Sequence, residues 1–125
     1  MAELTPTEQL EEIRRNSENL KSRIDTITRD LDFPSLDKEV EELELKLQTP
    51  EVWSDPSQTA AINRRLARLR ERRKVWDDLA GAAVDAAEFA ELALAEPDPA
   101  EHLAEAREAY RKVFEGVEKE ETKLL

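Results

Sequence analysis

The sequence predicts an all-α fold: an elongated, mainly antiparallel bundle of about four coiled-coil-like helices, one of them long and central. Apolar residues make up 39% of the 125 residues and charged residues another 39%, whereas an average soluble domain has ~45–50% and ~25%. Helices that each bury one stripe fit this ratio, because sheets need more apolar side chains. Only two glycines occur, too few for the turns of an all-β fold.

The first helix is predicted from a start signal at residues 5–8, where Thr5 can cap, Pro6 suits the first helical position and Glu8 can bond back to the cap. Apolar residues then recur at three- and four-residue steps as far as Leu31, with Ser17 as the one polar residue among them. Residues 32–35 interrupt this pattern.

The second helix is expected after the interruption at residues 32–35, with apolar residues from Leu36 onward, and to end at residues 48–49, before Pro50. Phe33 precedes a proline and is therefore expected outside the helical region of backbone space. Either Asp32 or Ser35 can cap this helix, and the pattern does not choose between them. Its outer face is rich in glutamate.

A short connector, residues 50–56, carries Trp53 between two prolines. A tryptophan in such a loop either closes the end of a bundle or contacts a partner. We favour the first interpretation, because a small bundle needs every large apolar group.

The third helix begins at a second capping box, residues 55–58, and has no strong stop before Pro97. It is therefore the long central helix, although Gly81 leaves open whether it is broken. Residues 98–101 predict a third capping box and a fourth helix, whose apolar pattern continues to the last residues. We interpret residues 1–125 as one helical domain of a longer protein.

The residue inventory disfavours an enzyme and predicts no cofactor and no metal site. Cysteine is absent, which removes thiol nucleophiles and thiolate ligands. The single histidine, His102, has no partner pattern for a triad or a metal. No targeting segment or membrane span is evident, so a cytoplasmic protein is expected.

Basic residues concentrate in one part of an otherwise acidic chain. Residues 64–74 contain seven basic residues and one acid, a net +6, which leaves −17 for the rest of the chain. These side chains either pair with glutamates of neighbouring helices or form a docking stripe for RNA or an acidic partner. Arg73 follows the apolar stripe and is expected to point partly inward, toward a carboxylate or carbonyl. The candidate stripe consists of Arg64, Arg65, Arg68 and Arg72.

Three segments resemble the N-terminal domain of bacterial class I peptide chain release factors, and of the release factor 2 type in particular. They are Leu31-Asp32-Phe33, the acidic helix from Asp37 to Leu43, and above all Pro50-Glu51-Val52-Trp53-Ser54-Asp55-Pro56. The resemblance covers most of the chain and is weakest over residues 1–29. Within it, Pro50, Trp53, Asp55 and Pro56 are the scaffold residues that carry the family signature.

The resemblance implies a binding or positioning domain that acts in translation termination at UGA and UAA stop codons. It implies the ribosome near the stalk base as a partner, together with the GTPase release factor, and self-association of the isolated domain stays open. The family reads codons with Ser-Pro-Phe and triggers hydrolysis with Gly-Gly-Gln, and neither motif occurs in this chain. The alternative is a free-standing acidic coiled-coil adaptor.

Overall fold

The computed structural model describes residues 3–125, and every regular element in that range is a helix. The α-helices are α1 (Pro6–Asp30), α2 (Phe33–Lys46), α3 (Pro50–Trp53), α4 (Pro56–Leu94) and α5 (Leu103–Thr122), with a 3-10 turn (Pro99–His102) before α5. The predicted all-α bundle with one long helix is confirmed. The single turn α3 is an addition to the four predicted helices.

The first predicted helix start is present in detail. The hydroxyl of Thr5 accepts a hydrogen bond from the backbone N–H of Glu8 at 3.1 Å and donates one to the Glu8 carboxylate at 3.0 Å. A capping hydroxyl satisfies one of the N–H groups that the first turn of a helix leaves unpaired. The glutamate returns its bond to the hydroxyl of Thr5, where a capping box would use the backbone N–H.

The start of α2 differs from the prediction. Phe33 is the first residue of the helix, and neither Asp32 nor Ser35 caps it with its side chain. Asp32 adopts a left-handed conformation with φ of 56°, and its carbonyl accepts the N–H groups of Ser35 and Leu36. The ring of Phe33 is only 2% exposed, so its burial accounts for a helical position that a following proline disfavours.

The third predicted capping box is also wrong. Asp98 makes no side-chain capping bond; its carbonyl accepts the N–H of Glu101 and closes a 3-10 turn instead. Asp98 stands between Pro97 and Pro99, and the residue before a proline is restricted in its backbone angles. The α-helix therefore begins only at Leu103.

Helix α4 is continuous from Pro56 to Leu94 and passes through Gly81 without a break. A glycine inside a helix costs ~1 kcal/mol relative to alanine, and that amount does not end a helix whose flanks are packed. The question that the sequence left open is thus answered in favour of one long helix.

The chain divides into two compact units. The hairpin unit comprises residues 27–77, and the three-segment unit comprises residues 3–26 together with 78–125. In the hairpin unit, Arg73 of α4 contacts Phe33 and Asp37 in the first turns of α2, while residues 47–55 join the other end of α2 to the start of α4. The two helices therefore run antiparallel. The buried side chains of this unit are Phe33, Leu36, Leu66, Leu69 and Trp76.

The three-segment unit packs α1, the second half of α4 and α5 around a cluster of small and branched side chains. One cluster of its core consists of Leu10, Ile13, Ala90, Ala93 and Ala106. Arg23 of α1 pairs with Glu118 and Glu121 of α5, and Arg107 of α5 donates to Gln9 of α1. Both sets of contacts join residues about the same distance along each helix, so α1 and α5 run parallel.

Ser17 is the polar residue in the apolar pattern of α1, and it is fully buried. Its hydroxyl donates to the carbonyl of Ile13 at 2.8 Å. A buried hydroxyl that is bonded within its own helix needs no partner from another element. The polar residue is therefore compatible with the core.

The two glycines lie inside helices but in different surroundings, and this difference predicts opposite tolerance to alanine. A Cβ at Gly81 would meet nothing within 4 Å, whereas one at Gly116 would lie 2.7 Å from Cδ2 of Leu79. Gly81→Ala should stabilise the protein by up to ~1 kcal/mol through helix propensity alone. Gly116→Ala should gain less or lose stability, because Leu79 must move. Urea unfolding followed by circular dichroism measures both, and equal gains would contradict the packing at Gly116.

Candidate functional site

The connector between α2 and α4 is an ordered link built from local hydrogen bonds. The carbonyl of Thr49 accepts the N–H groups of Val52 and Trp53, and the hydroxyl of Thr59 in α4 donates to the carbonyl of Val52 at 3.0 Å. These bonds form the single turn α3 and tie it to the first turn of α4.

The cap predicted at the start of α4 is present, although Gln58 bonds to the carboxylate of Asp55 and the backbone N–H of Asp55 donates to the carbonyl of Val52. The carboxylate of Asp55 accepts the N–H groups of Ser57 and Gln58 at 3.0 and 3.3 Å, and the side-chain amide of Gln58 donates to it at 2.9 Å. These three donors lower the pKa of Asp55 below its ordinary value, because they stabilise the charged form. Asp55 and Pro56 thus have a local structural role in starting α4.

Trp53 does not close the end of the hairpin unit, and the favoured interpretation of this residue is wrong. Its side chain is 59% exposed. The buried tryptophan of this unit is Trp76 on α4, at 3% exposure, and the single turn α3 contributes no buried residue. The second interpretation, a contact with a partner, stays a prediction.

The basic run on α4 divides into side chains that pair with acids and side chains that do not. Arg65 binds Glu39 of α2 with two hydrogen bonds of 2.9 and 3.0 Å, and Arg70 binds Glu44 at 2.6 Å. The Arg65 guanidinium lowers the pKa of Glu39. These are exposed pairs, which add little to stability, but they commit two guanidinium groups to the neighbouring helix.

Arg73 points partly inward, as predicted. Its guanidinium lies over the ring of Phe33, 5.1 Å from the centroid, and 3.4 Å from carboxylate oxygens of both Asp37 and Asp77. A cation over an aromatic face and beside two carboxylates keeps its charge compensated where water is partly excluded. The sequence pattern placed this residue correctly but could not name these partners.

Three arginines of the run face away from α2. Within residues 3–125, the guanidinium groups of Arg64, Arg68 and Arg72 make no ion pair and no side-chain hydrogen bond, and all three residues are exposed. They recur every four residues, so they form a row with steps of about 6 Å along one side of the helix. We call Arg64, Arg68 and Arg72 the outer arginine row.

Other kinds of site find little support in the part of the chain that the structure describes. No three His, Cys, Asp or Glu residues there come together as metal ligands. The ring of His102 packs edge-on against Phe89, with 6.3 Å between centroids. None of the described helices combines the length and the apolar character that a membrane span requires.

Comparison with known proteins assigns the chain to a family. The PCRF domain matches residues 36–125, a range that includes α2 from Leu36 onward, the connector and the whole of α4 and α5. The chain belongs to the PCRF domain family. The match includes all four signature residues of the connector and the complete outer arginine row. The resemblance to class I release factors is confirmed.

The relatives of this PCRF domain chain are themselves release factors. It is 33% identical over 107 residues to peptide chain release factor 2 of Chloroflexus aggregans, which covers 83% of this chain and 29% of that protein. It is 32% identical over 108 residues to peptide chain release factor 2 of Thermomicrobium roseum, which covers 86% of this chain and 28% of that protein. The chain thus spans under a third of the length of these relatives. No solved structure matches it significantly.

The different surroundings of the two tryptophans predict different losses of stability. Trp53→Ala should change the free energy of unfolding by no more than ~1 kcal/mol, since the side chain is mostly in water. Trp76→Ala should cost ~3–5 kcal/mol, the range for a buried large aromatic. Denaturant unfolding of both variants measures the difference. If Trp53→Ala lowered the free energy of unfolding as much as Trp76→Ala, Trp53 would have to close the end of the bundle after all.

Proposed function

We propose that this chain is the helical N-terminal domain of a peptide chain release factor that acts at UGA and UAA stop codons, where it positions the factor on the ribosome. The match of the PCRF domain to residues 36–125 carries the proposal, and the names of the relatives support it. Codon reading and peptidyl-tRNA hydrolysis are assigned to other segments of such a factor, since Ser-Pro-Phe and Gly-Gly-Gln are absent from these 125 residues.

The outer arginine row is proposed as the surface that contacts the ribosome near its stalk base. Its guanidinium groups pair with no acid among residues 3–125, so a partner with negative charge would compensate them. On this side of α4, Ala60 and Ala61 precede the row, and Ala67 and Glu71 lie between its arginines. Protein interfaces rely on large apolar anchors, which this row lacks, whereas phosphate groups need only cations. We therefore propose RNA as the partner of this row.

The GTPase release factor is a further proposed partner, and Trp53 is the residue proposed to serve it. An exposed tryptophan on an ordered turn is the type of residue that dominates binding energy in protein interfaces. Its exposure and its place between Pro50 and Pro56 support this role.

A domain exchange tests the proposed function directly. The segment of the Chloroflexus aggregans release factor 2 that aligns with this chain is replaced by residues 1–125, and release of peptide from UGA-programmed ribosomes is measured. The exchanged factor should retain release within about tenfold of the parent, which corresponds to an activation barrier raised by no more than roughly 1.4 kcal/mol. The isolated chain should give no release above background.

An unrelated helical domain of equal length, exchanged at the same place, is the control. If this control supports release as well as residues 1–125 do, the chain has no specific role in the factor. If the exchanged factor releases no more peptide than one with the segment deleted, the chain is better described as an acidic adaptor.

A further inference from the structure

The second half of α4 exposes large apolar side chains and buries small ones. In the three-segment unit, the helix packs inward with Ala83, Ala86, Ala90 and Ala93, each at most 3% exposed. On the opposite side, Leu92 is 68% exposed and Val84 is 37% exposed. Amphipathic helices of isolated domains show the reverse arrangement. The exposed side therefore has the composition of a contact surface.

The same side of α4 carries acids that have no compensating charge. Asp85, Glu88 and Glu91 are exposed, and within residues 3–125 none of them makes an ion pair or a side-chain hydrogen bond. From residue 75 to residue 106 the sequence has nine acids and no lysine or arginine. We call Val84, Asp85, Glu88, Glu91 and Leu92 the acidic–apolar face.

The geometry of this face matches one side of a second helix. Val84 and Leu92 are eight residues apart, about 12 Å or two turns, and the three carboxylates lie between and beside them. A shallow groove of about 250 Å³ lies at one edge of the face, where Val84, Glu88 and Glu91 line one side of it and Glu18 and Lys21 of α1 line the other. Lys21 binds Asp25 at 2.7 Å, so this lysine is already paired.

We propose that the acidic–apolar face binds a cationic amphipathic helix of another protein. Such a helix would place apolar side chains two turns apart against Val84 and Leu92, in the manner of helices that bind in grooves. Lysine or arginine between those side chains would pair with Asp85, Glu88 and Glu91. The apolar contacts give the affinity, and the charges orient the helix and speed its association.

Two other occupants fit the face less well. RNA would be repelled by the three carboxylates. A second copy of this chain would have to offer the outer arginine row, but the neighbours of that row, Ala60, Ala61 and Ala67, are small, and the row lacks large apolar groups. The net charge of −11 also opposes association of two copies.

A labelled synthetic peptide tests the proposal by fluorescence anisotropy. The peptide is a helix of about five turns with leucines at i, i+4, i+7 and i+11 and lysine or arginine elsewhere. A scrambled peptide of the same composition has the same charge but no apolar stripe. The chain should bind the helical peptide at least about tenfold more tightly than the scrambled one. If the two peptides bound equally tightly, general attraction between opposite charges would explain the binding, and the proposal would be overturned.

Matched variants locate the peptide on the chain. Glu88→Gln, Glu91→Gln and Leu92→Ser together should weaken binding by about tenfold or more and flatten its salt dependence. Glu41→Gln, Glu42→Gln and Leu45→Ser remove the same charge and another exposed leucine, at 62% exposure on α2, and should change binding by less than about twofold. All six side chains are at least partly exposed, so both variants should fold, which circular dichroism checks.

Three results would overturn the proposal in addition to equal binding of the scrambled peptide. First, the triple variant in α2 (the α2 variant) could weaken peptide binding as much as the triple variant in α4 (the α4 variant). Sedimentation could show a dimer that the α4 variant abolishes, which would assign the face to a second copy. Peptide binding could be lost in the full-length gene product, which would assign the face to another segment of the same polypeptide.

Discussion

Pairing between the acids of α2 and the arginines of α4 decides which positive charges remain available to a partner. Glu39 and Glu44 engage Arg65 and Arg70 from the two sides of the apolar stripe, and Arg73 lies on that stripe between Asp37 and the ring of Phe33. Because α2 can reach only one side of α4, the arginines on the other side are left without acids. The position of the proposed binding surface is thus a consequence of how the hairpin unit packs.

The two halves of α4 differ in the size of the side chains that they bury and in the charge that they expose. In its first half, leucines and Trp76 are buried, and the exposed side is basic and poor in large apolar groups. In its second half, alanines are buried, and the exposed side is acidic and carries Val84 and Leu92. Alanine at a buried position allows helices to approach closely, so α1 and α5 complete the core around it. One helix therefore presents two exposed surfaces of opposite charge.

Periodic features could be predicted from the sequence, whereas features set by tertiary burial could not. The helices, the caps at Thr5 and Asp55 and the inward direction of Arg73 follow from residue type and spacing. The start of α2 at Phe33 and the exposure of Trp53 depend on which aromatic ring fills the core, and spacing does not decide that. The sequence offered two alternatives for the arginines of α4, pairing with a neighbouring helix or docking of a partner, and did not say which arginine does which. The pattern within one helix does not show where the next helix lies.

We propose that the arginines that α2 leaves unpaired are the ones that bind the ribosome. Ribosome binding measured over a range of salt concentrations tests it on two variants with the same loss of charge, Arg68→Gln with Arg72→Gln and Arg65→Gln with Arg70→Gln. The double variant of Arg68 and Arg72 should weaken binding. It should also make the dependence of log K on log salt less steep by about 0.7 per arginine, the value for counterions released from single strands. The second pair should leave the slope unchanged. Equal effects of the two pairs, or a larger effect of the second, would contradict the account.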